Sequence, residues 1–382
     1  MANSRPDIRT IFPQQLTATL SEWGHPTYRA DQITQWVHRA RAASWDEMTN
    51  VPGELRERLA ETFSLHPLEL VAVQGSGDTT RKFLWRLRDG SLIESVLIPA
   101  NPALYGESSD RHTLCVSTQV GCAYGCRFCA SGLEGWKRNL EPEEIVGQVY
   151  AVERWHQDQR RKEGGLIEKA KERLVSNLVI MGMGEPLANY ERLMQALRIL
   201  NASWGGGLGA RKITVSTSGL APQIRQLANE PEQFQLAISL HGATDPVRNR
   251  IMPVNRKYPL GVLMEACAYF REAKSRLITF EYILLAGIND TPGDAKALGE
   301  LAFKLKAKVN LIPYNRVEGL PWERPEEPEQ EAFLSRLREG GVTATLRREK
   351  GHDIDAACGQ LRLRVEKAQA ESGEEKNEAQ NS

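Results

Sequence analysis

From Leu114 onward the chain alternates short apolar segments with longer amphipathic ones, and no other feature restricts its fold as much. A parallel strand pair needs a crossover long enough to hold a helix, so this alternation reads as βα units. The expected strands are Leu114–Ser117, Asn177–Met181, Lys212–Ser216, Gln235–Ser239, Thr279–Leu285 and Lys308–Ile312. Helices are expected at Pro142–Gln157, Tyr190–Asn201, Ala221–Ala228, Leu260–Ala273, Pro292–Leu305 and Gln330–Arg338. Six such units form an incomplete (β/α)6 barrel of the α/β class. A further short strand, Thr343–Arg347, precedes the loop Gly351–Gln360.

Single cores stop growing near roughly 250–300 residues, so a 382-residue chain has room for one barrel and a small accessory domain. Tyr28–Val37 and Pro52–Leu59 carry helical apolar spacing. They place a helical accessory domain at residues 1–66. Lys82–Arg88 and Ser91–Ile98 flank Asp89-Gly90, a two-residue turn signal, so residues 67–110 read as a β-hairpin extension. The barrel with its C-terminal loop takes residues 111–365, and the polar run at 366–382 is expected to be disordered.

No apolar run approaches the ~18 residues of a membrane span, and the N-terminus lacks a signal peptide's apolar stretch. A cytoplasmic location, with no membrane partner, is the expectation. Four of the six cysteines crowd into Cys115–Cys129, unlike the spread framework of a secreted disulfide domain. Net charge is zero, so any nucleic-acid surface must be a local patch.

Gly121-Cys-Ala-Tyr-Gly-Cys-Arg-Phe-Cys129 sets Cys122, Cys126 and Cys129 at Cys-x3-Cys-x2-Cys on one loop after a strand. Structural zinc usually completes a tetrahedron with a fourth ligand nearby, whereas three thiolates on a [4Fe–4S] cluster leave one iron open. A zinc knuckle or three unrelated core thiols are the alternatives. The spacing, the aromatic Phe128 and the six βα units together resemble the radical S-adenosylmethionine superfamily. That resemblance implies a cluster whose open iron chelates S-adenosylmethionine.

Strand ends on such a barrel carry ligand-binding groups. Val179-Ile-Met-Gly-Met-Gly-Glu-Pro186 ends in Gly184 and Glu185, which resemble the superfamily element that approaches the cofactor's amino group. Ser216, then Ser239, Leu240 and His241, occupy the ends of the next two strands, and Asn315 follows the sixth. All are candidate S-adenosylmethionine contacts.

Three more cysteines lie outside the cluster motif, among them Cys115, seven residues before Cys122, and Cys358, in Gly351-His-Asp-Ile-Asp-Ala-Ala-Cys-Gly-Gln360. Along nearly its whole length the chain resembles the RlmN/Cfr family of radical S-adenosylmethionine RNA methyltransferases. The resemblance runs through Tyr28-Arg-Ala, Met48-Thr-Asn, Glu94-Ser-Val, Cys115–Cys122, Arg138-Asn-Leu140 and the Cys358 loop. It implies methylation of an adenine ring, with C2 favoured over C8, in 23S rRNA and also in tRNA. It implies two S-adenosylmethionine molecules per turnover: Cys358 carries the methyl as S-methylcysteine, Glu94 accepts the base's proton, and Cys115 resolves the adduct through a transient disulfide with Cys358. A flavodoxin-like electron donor and a monomeric state are family expectations. Trp136 stands where the family pattern has Phe. Cys267, in the helical run Leu263–Phe270, reads as a buried structural thiol.

RNA contacts are expected among Lys137, Arg138, Arg248, Arg250, Arg256, Lys257, Arg347, Arg348 and Lys350, although such clusters are commonly solvated faces. Two rival readings remain: a radical enzyme acting on a protein or small molecule, and an RNA-binding module with a structural or redox-sensing cluster.

Overall fold

The apolar segments of the second half pair side by side as parallel strands, and the hairpin extension continues the same sheet. The computed structural model describes residues 5–75, 80–100, 111–133, 135–162, 164, 173–347 and 360–366. In chain order the strands are β1 (Glu69–Gly75), β2 (Arg81–Arg86), β3 (Leu92–Pro99), β4 (His112–Cys115), β5 (Gln119–Gly121), β6 (Trp136–Asn139), β7 (Asn177–Ile180), β8 (Ile213–Thr217), β9 (Gln235–Ser239), β10 (Thr279–Leu284), β11 (Lys308–Pro313) and β12 (Ala344–Leu346). A ten-stranded sheet runs β1-β2-β3-β4-β7-β8-β9-β10-β11-β12, with β5 and β6 as a separate pair. Pairing is antiparallel from β1 to β4 and parallel from β4 to β12.

Six parallel strands with crossover helices make the partial barrel, and β12 adds a seventh parallel strand. Each strand alternates its faces. On β10, Phe280, Tyr282 and Leu284 are fully buried in the apolar layer under the helices, while Glu281 and Ile283 face the interior. The crossover helices are Pro142–Lys162, Tyr190–Asn201, Ala221–Asn229, Leu260–Lys274 and Pro292–Leu305, with Glu327–Glu339 leading into β12. Thr291 and Asp294 form a capping box on Pro292–Leu305, with proline at the first turn, which explains why that helix starts where the sequence places it.

Three elements depart from the sequence reading. The cluster loop follows β5, a second short strand beyond β4, because Gln119–Gly121 pairs back with Trp136–Asn139. Helix Asp245–Ile251 is additional, hidden in a run dense in arginine and asparagine where apolar spacing gives no signal. Strand β1 is also additional; it lies at the sheet edge with largely exposed side chains.

The N-terminal helices Pro13–Glu22, Tyr28–Thr34 and Gly53–Thr62 enclose their own apolar cluster around Leu20, Ile33, Met48 and Leu59. They lock onto helix Pro142–Lys162. There His38 Nδ1 meets Tyr150 Oη at 2.8 Å, and Arg154 donates to Glu47 and to the Arg41 carbonyl. Residues 360–366 are helical and lie against β2 and β3, where Leu361 packs with Leu84 and Leu92. Among the described residues no helix is long and apolar enough to cross a membrane.

Candidate active site

A cavity of about 270 Å³ opens at the C-terminal ends of the parallel strands. Its lining includes Cys122, Cys126 and Cys129 from the cluster loop, Gly184 and Glu185 after β7, Ser216 at the end of β8, and Ser239 and His241 at β9. The sequence positions therefore converge on one wall. Leu240 and Asn315 are not part of the lining; the Leu240 side chain turns into the hydrophobic core.

The loop after β7 owes its course to glycine. Gly184 sits at φ +100°, and a Cβ there would lie 2.5 Å from the Gln119 side chain. Gln119 uses that closeness: its Oε1 accepts from Glu185 N at 2.8 Å, and its Nε2 donates to Asn139. This stitches the cluster hairpin to the β7 loop. Glu185 is buried, and burial raises its carboxyl pKa while the Ser218 and Leu187 backbone amides, at 2.7 and 3.1 Å, oppose the rise.

His241 has φ +55°, a conformation costly for a side-chain-bearing residue. Asn289 holds it there: fully buried, Asn289 donates to the carbonyls of His241 and Ile283 and accepts from Leu285 N. His241 Nδ1 accepts from Ile283 N at 3.0 Å, so a neutral ring carries its proton on Nε2. Phe128 meets the ring edge to face, with centroids 5.0 Å apart. Burial, followed by the Arg248 charge, lowers the His241 pKa to about 3. Burial chiefly lowers His38 to about 3 as well.

Both groups stay neutral in the folded chain, while an unfolded histidine takes up a proton below its ordinary value of 6.5. Folding stability is therefore complete above that value and falls with pH down to about 3. By pH 5 each histidine should cost about 2 kcal/mol relative to pH 7.5. Urea unfolding at the two pH values checks this, and His38→Gln should remove about half of the loss.

Arg248, a candidate RNA contact by sequence, is instead fully buried. Its guanidinium donates to the Leu240 carbonyl at 3.1 Å, to Asn255 Oδ1 at 2.8 Å and to the Ser218 carbonyl, bracing two strand ends behind the cavity. Arg138 is likewise occupied, bridging Asp89 and Glu144. Arg250, Arg256 and Lys257 are exposed, and Arg348 and Lys350 lie outside the described residues. Arg347 lines the cavity itself.

The cavity also includes Glu281, whose carboxylate accepts from Asn310 Nδ2 at 2.8 Å, together with Ser218 and Tyr124. Sequence reasoning missed Glu281. An acidic residue in the strand Thr279–Leu284, on the face opposite the large apolar residues, was the available signal.

Glu94, Cys115 and Lys82 share the interior face of the neighbouring strands. Leu84 pairs with Glu94, Lys82 with Val96, and Val96 with Cys115, and residues paired or two apart lie on one face. Glu94 is 2% exposed and Lys82 fully buried; Lys82 Nζ lies 3.1 Å from Glu94 Oε2, while Glu94 Oε1 accepts from Arg362 N at 2.7 Å. Cys358 lies outside the described residues. Cys267 is fully buried in the core, and burial pushes its thiol up to about 12.

Comparison with known proteins agrees with this geometry. Residues 7–65 match the family described as the ribosomal RNA large subunit methyltransferase N-terminal domain, and residues 162–297 match the radical SAM superfamily. A probable dual-specificity RNA methyltransferase RlmN 3 from Opitutus terrae is 56% identical over 366 residues, covering 95% of this chain and 96% of the relative. A probable dual-specificity RNA methyltransferase RlmN from Akkermansia muciniphila is 50% identical over 361 residues, covering 94% and 96%. The chain belongs to the RlmN family of radical SAM RNA methyltransferases. A radical SAM methyltransferase from Sphaerobacter thermophilus shares the RlmN architecture seen here, with TM-score 0.83 and 43% identity over 93% of this chain and 98% of that one.

RlmN membership implies a [4Fe–4S] cluster and S-adenosylmethionine, and the residues present fit both. Among the described residues no three His, Cys, Asp or Glu side chains draw together as one metal ion requires. Three thiols set around a cavity wall suit a larger cluster, in which each of three irons takes one thiolate. The Cys122 sulfur receives the Tyr124 and Gly125 amides, yet burial dominates and pushes its thiol up to about 11. Cys126 is pushed well above its ordinary value by burial. Thiols so poorly served by solvent become good ligands once iron displaces their protons.

Proposed function

We propose that the chain methylates C2 of an adenosine in 23S rRNA and in tRNA, through an S-methylcysteine on Cys358. The carrying observation is one interior face that holds Cys115 and the carboxylate of Glu94, beside a cavity lined by the three cluster-motif thiols. Cys122, Cys126 and Cys129 would hold the cluster, and Gly184, Glu185, Ser216, Ser239 and His241 would hold S-adenosylmethionine; Leu240 and Asn315 complete the set proposed from sequence. Bound there, the cluster and two molecules of S-adenosylmethionine per turnover supply a transferable methyl group and a 5′-deoxyadenosyl radical, which suits a ring carbon with no acidic N–H or O–H to activate.

The chain's own residues do the rest. Cys358 Sγ takes the methyl, and the carbon it carries becomes the carbon joined to the base. Glu94 accepts the C2 proton from the joined intermediate. Cys115 Sγ, as a thiolate, bonds to Cys358 Sγ as the bond from Cys358 Sγ to the bridging carbon breaks. The electron pair stays with that carbon, which takes up a proton to become the methyl of the freed base, and a disulfide is left for reduction. The target base must leave its stack to reach the cavity. A low-potential donor such as flavodoxin supplies electrons, and the enzyme acts as a monomer.

The test is anaerobic reconstitution with iron and sulfide, then incubation with S-adenosylmethionine, reductant and ribosomal RNA or tRNA, followed by nucleoside mass spectrometry. The expected product is 2-methyladenosine. Appearance of 8-methyladenosine would replace C2 by C8, and deoxyadenosine without any methylated base would sink the RNA assignment for this chain.

A further inference from the structure

We infer that Lys82 is the positioning residue that keeps Glu94 ready to act as a base. The inference rests on the proposed role of Glu94, and the geometry around that carboxylate carries it.

A fully buried lysine is among the costliest residues a sheet can hold, and Lys82 lies on a strand whose other buried residues, Phe83, Leu84 and Trp85, are apolar. Stability does not account for it, because an apolar pair of similar volume at positions 82 and 94 would hold the sheet as well or better. Lys82 points to the interior face that carries Glu94 and Cys115, away from the face where Phe83 and Trp85 stack. Its ammonium ends 3.1 Å from Glu94 Oε2.

The requirement is chemical. A carboxylate stripped of water takes up a proton unless a cation replaces the lost solvent. A base that is already protonated cannot accept the C2 proton. Lys82 supplies that cation from the Oε2 side, and the Arg362 amide engages Oε1. The carboxylate is therefore held between the sheet and the helical segment 360–366, and Arg362 lies four residues beyond Cys358 in the chain.

Among the described residues the charged and titratable groups facing this carboxylate are Lys82 on β2, the Cys115 thiol on β4, and Arg362 in the helical segment 360–366, whose side chain pairs with Glu366 at 2.8 Å. Glu366 in turn meets Lys137 from β6 at 3.6 Å. Among the described residues Lys82 is in ion-pair contact with Glu94 itself. On turnover the C2 proton passes to Glu94, and the electron pair of that C–H bond returns to the ring. The neutral acid gives its proton to water after the product leaves, and Lys82 draws Glu94 back to the carboxylate.

The experiment compares Lys82→Met, Lys82→Gln, Lys82→Arg and Glu94→Gln in the reconstituted full-length enzyme. Four readouts are taken: Cys358 methylation, deoxyadenosine formation, covalent protein–RNA adduct, and methylation rate from pH 6 to 9. Lys82→Met and Lys82→Gln should keep Cys358 methylation and deoxyadenosine formation while accumulating the adduct. Their methylation rate at pH 7 should fall at least about tenfold, within the range a positioned base contributes, and recover as pH rises. Lys82→Arg should restore the normal profile. If Lys82→Met does not fold, Lys82→Gln, which keeps a hydrogen bond to Glu94 without the charge, reads the same result. Normal rates with an unshifted pH profile in the foldable uncharged variants would overturn the role of Lys82. A fully active Glu94→Gln enzyme without adduct would instead overturn the base assignment itself, and the inference with it.

Discussion

Cys126→Ala should abolish deoxyadenosine formation and RNA methylation together, because it removes one of the three thiols proposed to hold the cluster. Burial pushes the Cys126 thiol well above its ordinary value, with Cys129 and Cys122 adding to the effect. Iron content after reconstitution should drop with activity, while thermal unfolding should change little, since the cluster loop lies outside the ten-stranded sheet. Cys267→Ala is the matched control. That thiol lies on the buried face of helix Leu260–Lys274, and its loss should cost about 1 kcal/mol of stability and leave iron binding and deoxyadenosine formation intact. Retention of iron-dependent cleavage of S-adenosylmethionine by Cys126→Ala would remove this residue from the ligand set.

The two cysteines differ in ways that the sequence made partly legible. The spacing of Cys122, Cys126 and Cys129 is local, so three residues on one loop announce themselves without a fold. Strand order was legible for the same reason: each βα unit carries its own period, and parallel pairing follows from connection length. Gly184 was readable because it ends an apolar strand in a run that resembles the superfamily element, and the structure adds why glycine is needed there, at φ +100° against the Gln119 side chain.

What escaped the sequence depends on partners far away in the chain. Arg248 looks like any exposed base in Asp245–Ile251, and only its acceptors, Asn255 Oδ1 and the carbonyls of Leu240 and of Ser218, 30 residues earlier, make it a buried brace. Arg138 is similar, since its charge is taken by Asp89 from the hairpin turn and Glu144 from the next helix. Glu281 and Lys82 were concealed in strands read only for their apolar face. Their burial becomes visible when register sets Glu281 beside Ser239 and Lys82 within reach of Glu94. His241 shows the same limit: its tautomer is decided by the Ile283 amide, 42 residues later.

That long-range register also separates the outcomes expected for the two remaining cysteines. Cys115 is buried on β4, where its strand partner Val96 aligns it with the face holding Glu94. Cys115→Ala should let the reaction run through methylation of Cys358 and joining to the base, then stop, because no thiol remains to attack Cys358 Sγ. The expected result is a stable protein–RNA crosslink on denaturing gels and loss of free methylated adenosine by several orders of magnitude. Cys358→Ala acts one stage earlier. It should give no crosslink, no methylated base and no methylated peptide, while iron content and S-adenosylmethionine binding persist, because the three cluster thiols and the strand-end rim are untouched. The double variant Cys115→Ala/Cys358→Ala should behave as Cys358→Ala alone, since the order of steps makes the earlier block dominate. A crosslink in the double variant would mean that some other residue carries the methyl. Methylated RNA from Cys358→Ala would remove the S-methylcysteine route altogether, and leave Cys115 as an ordinary buried strand thiol.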